Sequence, residues 1–209
     1  MLGNKNKFSI KTKFPIILAS GSSIRKKILM QTGLKFKTVS SNLNESLIKK
    51  KLQGKNFSYI CKKLSEEKAL VVSKKFNNAY VIGSDQICIF ERKLLDKPST
   101  KEKAINQLVM LSGNEHSQIS ASSICFNGKI IYSFFEKSCL KMRTLSKNQI
   151  IDYINFDMPL NSCGSYKYES KGYLLFSKVR GNQFAIQGIP LFSLLNNMLK
   201  ENIISYEKS

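Results

Sequence analysis

The strongest constraint on the fold is an apolar run followed at once by small polar residues and then by a periodic segment. Residues 15–19 (PIILA) predict a buried strand, and residues 20–23 (SGSS) predict a tight turn. Ile24, Ile28 and Leu29 then recur at the spacing of one helix face. This order of strand, turn and helix is typical of α/β proteins, and 209 residues suffice for one α/β domain or two closely packed lobes.

Strand and helix patterns continue along the chain. Strands are predicted at 35–40, 79–82, 87–90, 116–126, 129–142 and 173–179, and helices at 56–73, 101–111, 146–155 and 189–202. Gly83-Ser84-Asp85 is expected to interrupt a strand, and Asn127-Gly128 predicts a tight hairpin. We find no linker or internal repeat, so residues 14–205 are expected to form a single domain.

Residues 1–13 predict a disordered basic leader, because they lack the apolar centre and cleavage site of a secretory signal. The whole chain carries 34 Lys and Arg against 14 Asp and Glu, a net charge of +20. Such a charge attracts nucleic acids, anionic membranes and phosphorylated small molecules alike, so the charge alone does not identify the binding partner. Most of the excess is lysine in dispersed pairs, a pattern typical of solvated helix faces.

The composition indicates where the protein is expected to be located and which type of metal ion it could bind. No apolar run approaches the roughly 20 residues that cross a bilayer, so a soluble, cytoplasmic protein is expected. The five cysteines are widely spaced and include no C-x-x-C pair, which indicates reduced thiols and disfavours zinc. Oxygen ligands suit a hard cation such as Mg²⁺ instead.

Few residues are suited to acid or base catalysis. His116 is the one histidine, and the G-x-S-x-G motif of serine hydrolases is absent, so a structural role in a turn is favoured for it. Glu45 and Asp85 stand out among the carboxylates, because each follows or interrupts a predicted strand. Asp85 could be a turn-forming residue or a general base that deprotonates a water molecule.

The turn at residues 20–25 is suited to bind phosphate. It places backbone N–H groups and the hydroxyls of Ser20 and Ser22 at a helix N-terminus, and Arg25 adds a bidentate partner. A serine-rich helix cap is common, however, and the Walker A motif is absent. Lys97, before Pro98, could be a second phosphate contact or an ordinary surface lysine.

Taken in order, these segments resemble the Maf family of nucleoside triphosphate pyrophosphatases over nearly the whole chain. The family's motifs correspond here to residues 18–25 (LASGSSIR), Glu45, residues 67–69 (EKA), 83–85 (GSD), 97–98 (KP), 111–113 (LSG) and 188–191 (GIPL). The resemblance implies an α/β fold in which an extended mixed sheet curves around a cleft, with helices packed on both lobes.

The resemblance also implies the reaction and its residues. A nucleoside triphosphate would be cleaved to the monophosphate and pyrophosphate, with Mg²⁺ or Mn²⁺ as cofactor. Asp85 would be the proton acceptor beside catalytic Lys68 and Lys97, and Glu45 and Asp85 would bind the metal. Ser20, Ser22 and Arg25 would bind phosphate. Family members are often homodimers, and no stable nucleic-acid or membrane complex is expected.

Within the family, residues 84–86 (SDQ) and 164–167 (GSYK) with Glu169 are similar to the branch that acts on 7-methyl-GTP. Methylation makes guanine cationic, which would favour a carboxylate such as Glu169, while Gln86 could hydrogen bond a base edge. Ile24 stands where that branch usually has tryptophan, which removes a cation–π partner. Ile24, Gln86 and Glu169 are therefore the candidate specificity residues.

Three alternatives remain open on the sequence. The chain could be a dTTP or UTP pyrophosphatase of the same family. It could be a basic nucleic-acid-binding protein without catalysis, although no RRM, KH or helix-turn-helix signature accompanies the charge. It could also be an inactive family member, against which the retained Arg25, Glu45, Lys68, Asp85 and Lys97 argue.

Overall fold

The computed structural model describes residues 8–208. The strands are β1 (Phe8–Thr12), β2 (Ile16–Ala19), β3 (Lys37–Thr38), β4 (Tyr80–Phe90), β5 (Lys93–Leu95), β6 (Glu115–Phe126), β7 (Lys129–Met142), β8 (Phe176–Arg180) and β9 (Ile204–Lys208). The helices are α1 (Ser23–Met30), α2 (Glu45–Lys51), α3 (Phe57–Ser73), α4 (Lys101–Leu111), α5 (Lys147–Asp157), α6 (Gln183–Ile186) and α7 (Leu191–Lys200), with a 3₁₀ helix at Lys171–Leu175. None of the helices in this part of the chain is long and apolar enough to cross a membrane.

A mixed sheet of seven strands forms the centre of the molecule. Its order is β3-β2-β4-β6-β7-β8, and β5 pairs with β4 beyond that path. β2 lies parallel to both β3 and β4, whereas the β4–β6, β6–β7 and β7–β8 pairs are antiparallel. β1 and β9 form a separate two-stranded antiparallel sheet. The fold is therefore α/β, as the sequence predicts.

Helices cover both faces of the sheet. Successive side chains of a strand point to opposite faces, so apolar side chains of one strand can pack against helices on either side. On one face Ile82 of β4 packs with residues of α1 and α7, such as Leu29 and Leu194. On the other face Val81 packs against α3 through Ala69. A further buried cluster lies between α4, α5 and the C-terminal half of β7.

Helix α3 approaches β4 most closely at Gly83. A Cβ atom at this position would lie 2.1 Å from the carbonyl oxygen of Ser65 and 2.7 Å from the backbone nitrogen of Ala69. Only glycine fits there, since both neighbours are backbone atoms of the helix. The close contact sets α3 directly over the middle of β4.

The structure differs from the sequence predictions in the shape of several elements. Gly83-Ser84-Asp85 does not interrupt a strand, because β4 is continuous and its glycine serves helix packing. Most of the strand predicted at 35–40 is irregular, and β3 has two residues. The strand predicted at 173–179 begins as a 3₁₀ helix, and α2 (Glu45–Lys51) forms where the sequence predicts no element.

The leader expected to be disordered is ordered in part. Phe8–Thr12 form β1, whose residues pair with Ile204–Lys208 of β9, and Ile10 packs against the core. Residues 1–7 lie outside the described part of the chain. Helix α3, helix α4 and the hairpin of β6 and β7 at Asn127-Gly128 lie where the sequence predicts them.

Candidate active site

One cleft brings together every residue that the sequence singled out for catalysis, binding or specificity. Its volume is about 940 Å³. The residues concerned are Ser20, Ser22, Ile24, Arg25, Glu45, Lys68, Asp85, Gln86, Lys97 and Glu169, and all of them line it. They come from the β2–α1 turn, α1, α2, α3, β4, the β5–α4 connection and the loop before the 3₁₀ helix. Residues far apart in sequence therefore form one polar site.

The centre of the cleft is a lysine held between two carboxylates. Lys68 Nζ lies 2.5 Å from Asp85 Oδ1 and 2.7 Å from Glu45 Oε1. Lys68 and Asp85 are buried, and Glu45 is half-buried. A lysine ammonium has three N–H donors, so one remains after these two bonds. Burial alone would raise the pKa of Glu45, but the ammonium groups of Lys68, Lys97 and Lys49 together lower that pKa.

Asp85 retains one oxygen atom for chemistry. Its Oδ2 atom is buried and has no hydrogen-bond partner among the described residues. A buried carboxylate oxygen without a partner is costly, so a proton, a cation or a water molecule is expected to satisfy it. Oδ2 can therefore accept a proton or bind a metal.

The two carboxylates fit a magnesium-like ion. One oxygen atom of Glu45 and one of Asp85 both contact the Lys68 ammonium. The distance between these two oxygen atoms therefore cannot exceed the sum of the two contact distances. No group of three His, Cys, Asp or Glu residues within 8–208 is arranged to hold a metal. Mg²⁺ commonly binds one or two carboxylates together with substrate phosphates, so this pair matches its requirements.

The N-terminal end of α1 forms the side of the cleft suited to phosphate. Ser22 is the N-cap and accepts a hydrogen bond from the Arg25 backbone nitrogen at 3.4 Å. Ser20 Oγ accepts one from the Ser22 backbone nitrogen at 3.2 Å. Both serines therefore order the turn, whose helix end favours an anion.

Arg25 is held by the protein more firmly than the sequence indicates. Its Nε donates to the Gly188 carbonyl at 2.7 Å, and its Nη1 donates to the Ser84 carbonyl at 2.9 Å. Nη2 makes no hydrogen bond with a described residue. The sequence predicts that Arg25 contacts phosphate through two nitrogen atoms. In this conformation only Nη2 has both of its N–H groups available for that contact. The ammonium of exposed Lys97, by contrast, makes no hydrogen bond or ion pair within residues 8–208.

The candidate specificity residues also line the cleft. Gln86 Nε2 donates to the carbonyls of Ala185 and Ile186 at 3.2 and 2.6 Å. Its Oε1 atom therefore remains as a hydrogen-bond acceptor. Glu169 is exposed and adds a carboxylate, whereas Ile24 is half-buried and presents an aliphatic surface.

Sequence reasoning missed several residues that line the cleft. Lys49 and Asp96 form an ion pair of 2.7 Å at its edge, and Gln118 and Cys163 line its wall. Lys49 lies four residues after Glu45, which is the spacing of one helix face, so a helix prediction at 45–51 would have found it. Burial raises the pKa of the Cys163 thiol, and the five cysteines are all free.

His116 is structural, but it does not lie in a turn as predicted. It is buried on β6, and its Nε2 atom lies 2.9 Å from the Tyr166 hydroxyl, which also accepts a hydrogen bond from Gln118. Burial lowers the pKa of His116 to about 4. This network fixes the wall of the cleft and leaves His116 neutral near pH 7.

Known proteins resemble the chain along nearly its full length. Residues 15–202 match a family model described as Maf-like protein. A protein of Legionella pneumophila (strain Paris) named nucleoside triphosphate pyrophosphatase is 36% identical over 190 residues, or 91% of this chain and 95% of that protein. A protein of the same name from Ruegeria pomeroyi is 34% identical over 194 residues, or 91% of this chain and 98% of that protein.

Among solved structures, the Ham1 protein of Staphylococcus aureus matches 90% of this chain and 99% of its own. The TM-score is 0.43 and the sequence identity is 14%. So distant a likeness supports no statement about the cleft.

Proposed function

Because the chain belongs to the Maf family, we propose that it cleaves a nucleoside triphosphate to the monophosphate and pyrophosphate, and that 7-methyl-GTP is its substrate. The observation that carries this proposal is the Lys68 ammonium held between Asp85 and Glu45 in a cleft with a helix N-terminus. Two carboxylates beside several cations suit phosphoryl transfer, in which positioning and charge stabilisation provide most of the catalysis.

Asp85 accepts a proton from the attacking water molecule in the proposed reaction. Its free Oδ2 atom takes the proton while Lys68 holds Oδ1 and so fixes the orientation of the carboxylate. The water oxygen forms a bond to the α-phosphorus. The bond from that phosphorus to the bridging oxygen breaks, and pyrophosphate leaves with the bonding electrons.

The cations of the cleft stabilise the charge that builds up on the leaving group. Lys97 has no hydrogen-bond or ion-pair partner within residues 8–208, and Lys68 and Arg25 each retain unused N–H donors. In a site shielded from water such contacts are stronger than in bulk solvent. Glu45 and Asp85 would hold Mg²⁺ or Mn²⁺, which when bound neutralises and orients the triphosphate oxygens.

Two acceptor groups of the cleft support a guanine base. Gln86 offers an oxygen atom, since its N–H groups already donate to backbone carbonyls, and Glu169 offers a carboxylate. Guanine presents N–H donors at two neighbouring positions, and methylation at N7 adds a positive charge that a carboxylate favours. The aliphatic Ile24 would contact the base without a cation–π interaction.

The cytoplasmic location, the homodimer and the absence of a stable nucleic-acid complex stay predictions. Gel filtration with light scattering tests the dimer, and an oligonucleotide titration at physiological salt tests the nucleic-acid prediction.

The proposed activity is tested by measuring pyrophosphate release from dTTP, UTP, CTP, GTP and 7-methyl-GTP with Mg²⁺ or Mn²⁺. We expect the highest kcat/KM for 7-methyl-GTP, and we expect Glu169→Gln to reduce the preference for 7-methyl-GTP over GTP. The exposed Glu102→Gln is the matched control, because it removes one carboxylate outside the cleft. Activity confined to dTTP and UTP would contradict the proposed base, and no release from any triphosphate would contradict the reaction.

A further inference from the structure

An ion pair at the edge of the cleft joins two segments of the chain. Lys49 Nζ of α2 lies 2.7 Å from Asp96 Oδ1, which belongs to the connection between β5 and α4. Both residues line the cleft. The side chain of Lys49 is 23% exposed and that of Asp96 is 74% exposed, so the lysine points inward and the aspartate faces solvent.

Lys49 lines the same cleft as the reacting groups. Lys49 follows Glu45 by one helical turn, so both side chains project from the same face of α2. Burial lowers the pKa of Lys49, but the hydrogen bond to Asp96 and the charge of Asp96 raise it, and the negative charge of Asp85 adds a smaller rise. The positive charge of Lys49 in turn makes a small contribution to lowering the pKa of Glu45. The lysine is therefore within electrostatic reach of the position proposed for the triphosphate.

The triphosphate needs more positive charge than the other residues leave free. Lys68 already contacts two carboxylates, and Arg25 already donates to two backbone carbonyls. Lys167, which also lines the cleft, donates to the Asp157 carbonyl. Lys97 has no partner among the described residues, but a triphosphate carries three or four negative charges, and uncompensated charge in a cleft is costly. Lys49 is the additional cation in the cleft whose present partner is mostly exposed to water.

We propose that Lys49 binds the triphosphate of the substrate, and that Asp96 holds the lysine at the edge of the cleft until the substrate takes its place. This inference rests on the proposed function. The exchange is feasible because an ion pair with an exposed partner contributes little to stability, whereas a lysine contact with a multiply charged phosphate is stronger. When the lysine moves to the substrate, solvent hydrates the Asp96 carboxylate.

A different role for the pair is to hold α2 in position. None of the residues of α2 is fully buried, although Ile48 packs in part against α3 and its neighbours. If the ion pair only holds α2 in position, removal of either partner must weaken substrate binding equally. If Lys49 binds substrate, removal of Asp96 must not weaken binding, because it frees the lysine and removes a negative charge.

The test compares Lys49→Met, Asp96→Asn and the double variant with the wild type. KM is measured by pyrophosphate release from 7-methyl-GTP, or from whichever triphosphate is hydrolysed. The Kd of inorganic tripolyphosphate is measured by calorimetry, which needs no turnover. The control is Lys50→Met, since Lys50 is the neighbouring exposed lysine outside the cleft and its loss changes the net charge equally.

We expect Lys49→Met to raise KM and the tripolyphosphate Kd about tenfold relative to Lys50→Met. Asp96→Asn is expected to leave both constants at or below the wild-type values, and the double variant is expected to resemble Lys49→Met. An equal loss of affinity in Lys49→Met and Asp96→Asn would overturn the proposal and would show that the ion pair only holds α2 in position. A Kd for Lys49→Met within twofold of the control would overturn it as well.

The two proposals fail separately. If no triphosphate is hydrolysed by the wild type, the proposed function is wrong, yet tripolyphosphate binding still decides the role of Lys49. If the wild type is active and Lys49→Met matches the control, the proposed function stands and the role of Lys49 is wrong.

Discussion

At the scale of single residues, the cleft is organised by one ammonium shared between two carboxylates. Lys68 and Asp85 are both buried, and each of these charges is compensated by the other. The arrangement fixes Oδ1 of Asp85 and leaves Oδ2 without a partner among the described residues. Asp85 is thus poised to accept a proton while its position is held.

Asp85→Asn is expected to abolish most turnover and to preserve binding. The amide has the same shape and can still accept a hydrogen bond from Lys68, but it cannot take a proton. Loss of a general base typically reduces the rate by about 10²–10⁴-fold. Pyrophosphate release measures the rate, and calorimetry with tripolyphosphate measures binding.

Asp152→Asn is the matched control for that variant, because Asp152 is exposed on α5, outside the cleft. Turnover of Asp85→Asn within tenfold of this control would show that another group accepts the proton.

At the scale of elements, the site depends on how closely α3 lies over β4. Gly83 permits the contact, and Lys68 and Asp85 project from these two elements next to it. Glycine in the middle of a strand is unfavourable by itself, so its presence here is explained by the helix above it.

Gly83→Ala is expected to destabilise the protein by about 1–3 kcal/mol and to reduce turnover strongly. The added methyl group would meet backbone atoms of α3, which cannot move aside like a flexible side chain. The helix must shift, and the Lys68–Asp85 contact must change with it. Thermal unfolding and pyrophosphate release measure the two effects.

Gly21→Ala is the control for stability, because a Cβ atom there would have its closest neighbour at 3.9 Å. Its unfolding temperature is expected to stay near that of the wild type. Gly83→Ala with unchanged stability and activity would show that α3 moves freely relative to β4.

At the scale of the whole molecule, stability is expected to depend on pH through His116. Burial lowers the pKa of this residue to about 4, from 6.5 in an exposed histidine. Between these values the unfolded chain binds a proton that the folded protein does not bind. Stability therefore falls as the pH drops from 6.5 towards 4, by about 3 kcal/mol for this one group.

Urea unfolding of the wild type and of His116→Gln at several pH values between 4 and 7.5 tests this dependence. The variant is expected to lose less stability than the wild type across the acidic part of the range, even if it is less stable at pH 7.5. Equal losses in both proteins would mean that His116 is protonated in the folded state or does not control the acid transition.

The sequence determined the local elements and the identity of the candidate site residues. The strand and turn before α1 are encoded by neighbouring residues, as is the Asn127-Gly128 hairpin, so short-range preferences sufficed to predict them. The ordered motifs led to Arg25, Lys68 and Asp85, and the structure places all three in one cleft.

Tertiary structure decided the contacts that no local pattern contains. β4 continues through Gly83 because it pairs there with β2 and β6, and Phe8–Thr12 are ordered by pairing with Ile204–Lys208. Lys49 meets Asp96 across 47 residues of sequence. A residue's neighbours in sequence set its backbone preferences, but its charge acts on groups that only the folded chain brings near.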